Sequence, residues 1–383
     1  MTTAMDRPAS APGRILERAV SDGDVPFAVG LVAGAGGTLW QGAAGEAASG
    51  RPAAPDTVLR LFSVTKAVGA VAAAILVERG RFGWDDPVDA AIPDFDALPV
   101  LDGWDGDAPR LRPQRTRATL AQLLTHTSGA AYDVWHPSIA RFNADGRFPS
   151  PRSGARAGLG LPLAFDPGAG WAYGTGLDWA GLLIEAVDGR PPDVFVRDEI
   201  LAPLGMADTA FEVPPALRPR LADAWLRTGE GLRRLDAPPV SQPEFWGLGH
   251  ALTGTGADVL RFLRMLLGGG SLDGARILSE PTVAALLAPR TSPLGPMTST
   301  RPRVSADVIR LGPSTHGLLA VRTEAIPGRR SAGAQGWAGL YNTHWWLDPA
   351  RGRAGLFLTQ LRPFWDPRAM RAFEAFEQSV YAL

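Results

Sequence analysis

A serine and a lysine three residues apart, in Ser63-Val64-Thr65-Lys66, are the side chains of this sequence best suited to covalent catalysis. On a helix such a pair lies on one face, so the amine can reach the hydroxyl. A serine at the first turn also meets free backbone N–H groups and the positive end of the helix dipole. Both stabilise an alkoxide and, after attack, the oxyanion of a tetrahedral intermediate. Composition singles out the lysine as well. Lys and Arg together number 38, and Lys66 is the one lysine among them. Arginine carries positive charge everywhere else, but it cannot release its proton, whereas a lysine can act as a base. By itself S-x-x-K is a short pattern with a plain alternative, Ser63 as an N-cap and Lys66 as a snorkelling surface residue.

Other chemistries lack their residues. Cysteine is absent, which removes disulfides, thiolate nucleophiles and cysteine–zinc sites. The five histidines, His126, His136, His250, His316 and His344, form no HExxH and no close pair, so no metal is expected. No G-x-S-x-G marks an α/β-hydrolase elbow, and no glycine cluster completes a nucleotide-binding fingerprint. No cofactor is expected, and a Schiff-base role for Lys66 has no phosphate cradle to support it. A formal net charge of -1 with dispersed arginines gives no field for nucleic acid or an anionic membrane. The N-terminus lacks an apolar leader core, and the longest apolar run, residues 67–77, is too short to span a bilayer. These features predict a cytoplasmic enzyme whose partner is a small molecule.

The elements around the pair must position it. Residues 14–20 read as a short amphipathic helix, 27–47 as two strands around a glycine turn, and 63–79 as an apolar helix stopped by Gly80. Further helices are predicted over 120–124, 175–187, 193–201, 258–267 and 280–287, and strands over 315–323, 342–348 and 353–361. An amphipathic helix over 366–381 closes the chain. Residues 140–170, rich in Arg, Gly, Pro and Ser, read as an irregular lid-like loop. Strands at both ends with helices between predict an α/β (α+β sandwich) fold: an antiparallel sheet flanked by helices, with an all-helical domain inserted. The expected division is 1–80 with 250–383 as the sheet domain and 81–249 as the mostly helical one, the active site lying in the groove between them.

Six segments in order resemble one family: LFSVTKAVGA (61–70), LLTHTSGA (123–130), FDPGAGWAYGTGLDWAGLLIEAVDGR (165–190), LAPLGMADTAF (201–211), ADVLRFLRMLLGGG (257–270) and GWAGLYNTHWWLD (336–348). Together they resemble the serine β-lactamase-like superfamily. The nearest likeness is to the β-lactamase-related esterases called family VIII carboxylesterases, and a more distant one to class C β-lactamases and DD-peptidases. The resemblance implies Ser63 as nucleophile, Lys66 as its activating partner and Tyr173 as a second base. It implies an oxyanion hole from the backbone N–H groups of Ser63 and Leu340. Thr175 stands where β-lactamases carry Asn, and Trp337, before Ala338 and Gly339, stands where they carry a cation. Trp337 is therefore expected to form a flat apolar wall for a neutral acyl or alcohol group. His126, in LLTHTSG, is expected to belong to a packing turn. Tyr132, Trp135, His136, Trp246 and His250 follow on loops, where binding residues concentrate, and are candidate pocket residues. The expected activity is hydrolysis of short neutral carboxylic esters through an acyl-enzyme. Acyl transfer, amide or β-lactam hydrolysis with the same groups, and a catalytically silent ligand-binding homologue remain as alternatives.

Overall fold

An eight-stranded antiparallel sheet organises the structure, a computed structural model that describes residues 10–236 and 243–382. Its strands are β1 (Phe27–Gly34), β2 (Gly37–Ala48), β3 (Arg51–Pro52), β4 (Thr315–His316), β5 (Val321–Arg322), β6 (Gln335–Gly339), β7 (Thr343–Asp348) and β8 (Arg353–Leu358). In space they run β4-β5-β6-β7-β8-β1-β2-β3. The register sets Gly30 of β1 opposite Phe357 of β8, so the two ends of the chain share one sheet. The stretch predicted as one strand over 315–323 is two short ones. Gly317 donates its N–H to the Ala320 carbonyl and folds the chain back between them.

Both faces of this sheet are covered. Helices α1 (Ala11–Ser21) and α5 (Pro367–Tyr381) pack on one face through Leu16, Val32, Trp40, Phe357, Phe373 and Phe376. On the other, Val29, Leu31, Leu356 and Leu358 join the main core with α2 (Thr65–Glu78) and α4 (Gly256–Leu267). Double coverage explains why all eight residues of β1 are buried and why its sequence, FAVGLVAG, shows no polar alternation. Gly30 marks the closest approach: a Cβ there would lie 2.6 Å from Phe376 Cζ and 2.9 Å from the Trp40 ring. Only a glycine lets α5 seat against the sheet at that point.

Helix α2 carries Ser63 at its entrance and is buried from Thr65 to Leu76. A helix enclosed on all sides needs no polar stripe, and its alanines let neighbouring elements close around it. Between α2 and α4 the chain forms short helices, including Leu120–Leu124 and α3 (Gly176–Asp188). It also forms two hairpins that sequence reading did not foresee, Val100–Asp105 with Ala108–Arg112 and Ala224–Thr228 with Gly231–Leu235. One strand of each, Ala108–Arg112 and Gly231–Leu235, is mostly exposed and so carries no apolar alternation. Among the described residues, no helix is long and apolar enough to cross a membrane.

Candidate active site

Ser63 sits at a sharp change of chain direction. The strand Val58–Arg60 pairs with Thr253–Thr255, and the Leu61 N–H donates to the Leu252 carbonyl at 3.0 Å. Phe62 then adopts a φ of +46°, a left-handed conformation that costs free energy for any residue with a Cβ. Its ring packs edge-on against Tyr341 at 4.5 Å, which helps to hold it there. One 3-10 turn, Phe62–Val64, leads from this kink into α2, leaving Ser63 at the N-terminal end of a buried helix.

Two reactive groups converge on the Ser63 hydroxyl. Tyr173 Oη donates to Ser63 Oγ at 2.7 Å. Lys66 Nζ donates to Ser63 Oγ at 3.3 Å, to Tyr132 Oη at 3.1 Å and to the Gly249 carbonyl at 2.7 Å. The three donor positions of an ammonium are thus all used. Lys66 is only 5% exposed, so it is no snorkelling surface residue. Its Nζ lies 4.8 Å from the Tyr173 ring centroid and 5.2 Å from that of Tyr132, which adds cation–π attraction to the hydrogen bonds. On the far side, Trp337 Nε1–H donates to Tyr173 Oη at 2.9 Å.

Glycines hold these groups together. A Cβ at Gly174 would fall 1.7 Å from the Ala130 carbonyl oxygen, and one at Gly176 2.0 Å from that of Leu123. The Tyr173 segment therefore presses on residues 123–132, and the Tyr132 N–H donates to the Tyr173 carbonyl at 3.1 Å. His126 lies inside this packing with a φ of +61°, its Nδ1 accepting from the Gly174 N–H at 3.4 Å. Burial, then the neighbouring His316 and Lys66, hold its imidazole well below the ordinary histidine range, so it is a neutral packing residue. Tyr132 moves the other way. Burial, then Asp178 and Tyr173, raise its phenol well above the ordinary range, keeping it a neutral acceptor for Lys66. At Gly339 an added Cβ would meet the Leu61 carbonyl oxygen and Thr343 Oγ1, both at 2.2 Å. That close approach brings the end of β6, and Leu340 after it, beside the Ser63 turn.

Ser63, Tyr132, Trp135, Tyr173, His250 and Leu340 line one cleft of about 100 Å³. A larger, more open lobe of about 470 Å³ continues past Phe62, Arg152 and His250 to Trp246 and Tyr341. Four predicted residues lie elsewhere, one of them His136, half-buried at the N-cap of the Pro137–Phe142 helix and lining neither lobe. Trp337 forms no wall of this cleft; it lines a smaller chamber behind the serine, between Tyr173 and the rings of Phe364 and Trp365. The register of β6 turns its side chain there, and its indole serves Tyr173. Thr175 is buried at the N-cap of α3, its N–H donating to the Ala130 carbonyl at 3.0 Å. Gly339 acts through backbone packing.

Two residues of the site escaped the sequence reading. Asp178, on α3, is fully buried, and its Oδ1 accepts from the Gly249 N–H at 2.8 Å. Burial pushes its carboxyl up, but His250, Lys66 and the Gly249 N–H outweigh that and leave it below the ordinary carboxylate range. One signal could have revealed it, a lone acid on the apolar face of LDWAGLLI. Arg152, in the 140–170 loop, reaches into both lobes and makes no salt bridge among the described residues. Nothing local separates it from the other arginines.

This geometry agrees with what comparison of the chain finds. The model of the family described as Beta-lactamase matches residues 13–378. The chain belongs to the beta-lactamase family. A monacolin J acid methylbutanoyltransferase of Aspergillus terreus is 33% identical over 351 residues, covering 86% of this chain and 83% of its own length. A lovastatin esterase of Penicillium rubens is 32% identical over 326 residues, 80% of each protein. Among solved structures, an unliganded simvastatin synthase from Aspergillus terreus matches with a TM-score of 0.84 at 29% identity over 99% of both chains. Within the beta-lactamase family, the chain falls among the serine hydrolases and acyltransferases.

Proposed function

We propose that this beta-lactamase-family protein cleaves carboxylic esters by forming an acyl-enzyme on Ser63 and releasing the acyl group to water. One observation carries the reading: Ser63 Oγ has Tyr173 Oη at 2.7 Å and Lys66 Nζ at 3.3 Å. In the reactive form Tyr173 has given its own proton to the Lys66 amine by way of Ser63 Oγ, and the Ser63 proton then passes to the Tyr173 oxygen as Oγ bonds to the acyl carbon. Lys66 and the Trp337 N–H offset the charge on that oxygen, and the N–H groups of Ser63 and Leu340 receive the oxyanion. The departing alkoxide takes the proton as the carbon–oxygen bond breaks. Val134, Trp135, Val304 and Phe364 give the cleft an apolar wall, which suits a neutral acyl group better than a β-lactam carboxylate.

A second reading replaces water with an alcohol. It is favoured by the second lobe and by Arg152, a cation that makes no salt bridge among the described residues and faces that lobe. A hydroxylated acceptor bearing a carboxylate would satisfy both, and the transferase relative is named for an acid acceptor. The test is turnover of p-nitrophenyl butyrate beside a chromogenic cephalosporin, with wild type and Ser63→Ala, in the presence and absence of a hydroxy acid. Ester cleavage that exceeds cephalosporin cleavage and vanishes in Ser63→Ala is expected. Full activity in that variant, or no turnover of any ester, would overturn the reading. Appearance of an acylated hydroxy acid would shift it to transfer.

A further inference from the structure

We propose that His250, oriented by Asp178, is the base of the second half-reaction, taking the proton of the water or alcohol that attacks the acyl group on Ser63. The inference rests on the acyl-enzyme reading above. Four residues are shared by the cleft at Ser63 and by the larger lobe: Phe62, Ser150, Arg152 and His250. An acceptor arriving through the lobe passes this junction. Of these side-chain types, imidazole is the one that exchanges a proton readily near neutral pH.

The ring is held as a base would need to be. His250 Nδ1 is shielded from solvent and lies 3.3 Å from Asp178 Oδ1, a charge contact without aligned hydrogen-bond geometry, with 10% of the His250 side chain and none of the Asp178 side chain exposed. A carboxylate beside Nδ1 favours the tautomer protonated there, which leaves the basic lone pair on Nε2, and His250 lines the cleft that holds Ser63. The backbone is shaped around the pair. A Cβ at Gly247 would fall 2.4 Å from His250 Cε1 and 2.5 Å from Asp178 Oδ1, and one at Gly249 2.7 Å from Asp178 Oδ2. The neighbouring Gly249 carbonyl is the 2.7 Å acceptor of Lys66, so the pair adjoins the groups that act on Ser63.

Those groups have their own task at this stage. As the acceptor oxygen bonds to the acyl carbon, its proton moves to His250 Nε2. When the bond from that carbon to Oγ breaks, Oγ recovers a proton from Lys66, relayed by the Tyr173 oxygen. His250 then gives its proton to solvent and Lys66 regains one from it, so the count is restored.

His250→Asn tests this, because the Asn amide can keep the contact with Asp178 while no base remains at Nε2. Acylation is followed by the burst of p-nitrophenol from p-nitrophenyl butyrate, and deacylation by loss of the butyryl mass from the isolated acyl-enzyme. The expected result is deacylation slower by about 10²-fold, within the usual worth of a general base, with a much smaller fall in the burst rate. Hydroxylamine, an acceptor that needs little base assistance, should restore most of the lost rate. Deacylation at the wild-type rate would overturn the proposal. So would an equal fall in both steps, which would make the pair a clamp for Gly249 and Lys66 alone. A wild type that forms no acyl-Ser63 would instead remove the acyl-enzyme reading itself.

Discussion

Trp337→Phe isolates one hydrogen bond. The indole N–H reaches Tyr173 Oη at 2.9 Å, and that same oxygen lies 2.7 Å from Ser63 Oγ. While Tyr173 is a neutral phenol, the indole bond is an ordinary one. When the oxygen holds charge during acylation, the bond becomes charge-assisted, worth about 1.5–3 kcal/mol against about 0.5–1.5 kcal/mol for a neutral pair. Only the difference, about 1–1.5 kcal/mol, acts on the barrier, and it corresponds to roughly a 5- to 13-fold loss in acylation rate. Phenylalanine keeps an aromatic ring among Tyr173, Phe364 and Trp365, so the fold should persist with a modest fall in Tm. The assay is kcat/KM for p-nitrophenyl butyrate together with the burst rate, each set beside a thermal melt. If the variant acylates within twofold of wild type while folding normally, Tyr173 holds no charge in the acylation transition state. The role given to both residues would then be wrong.

Three further outcomes are expected. Lys66→Arg should lower kcat by about 10²–10⁴, because a guanidinium cannot release the proton; retention of more than half the wild-type kcat would reduce the lysine to an electrostatic prop. Gly339→Ala should cost more than about tenfold in kcat/KM by pushing β6 and the Leu340 N–H from the Ser63 turn, the usual scale for one lost oxyanion donor or more; an active variant with an unchanged Tm would contradict that packing. Burial, with Arg330 and Arg329 beside it, holds His344 near 3, and burial holds His316 near 4, against 6.5 for an unperturbed imidazole. The unfolded chain therefore binds protons below about pH 6.5 that the folded chain refuses, and stability should fall as pH drops from there towards 4 and stay level above. His344→Phe, which preserves stacking on Phe373, should flatten that fall in urea melts; an equal loss in both proteins would refute the assignment.

What sequence revealed and what it hid divide along a physical line. Ser63 and Lys66 were legible because three residues on one helix fix their relation locally. The sheet built from both termini was legible because apolar runs bounded by turns mark strands wherever they pair. The role of Trp337 was not, since which way a strand residue points depends on register with β7 and β8. Asp178 was hidden because its worth comes from Gly249 and His250, some seventy residues away in sequence. The kink at Phe62 depends on tertiary contacts with Leu252 and Tyr341 and has no local signature.

The single lysine brings both lines together. Among the described lysine and arginine side chains, two are nearly excluded from solvent, Lys66 at 5% exposure and Arg330 at 7%. Arg330 sits against the buried carboxylate of Glu377 at 2.5 Å, and a permanent cation opposite a permanent anion is the arrangement that makes a buried guanidinium tolerable. Lys66 forms no salt bridge among the described residues; its partners are a serine, a tyrosine and a carbonyl. Oxygens of that kind can stabilise an ammonium and also tolerate its loss of a proton, and two of them can exchange protons themselves. A carboxylate in direct contact would have fixed the charge. On the mechanism proposed above, arginine stands where a buried charge must stay and Lys66 stands among oxygens that can take up and return a proton, so replacing Lys66 should harm turnover far more than folding.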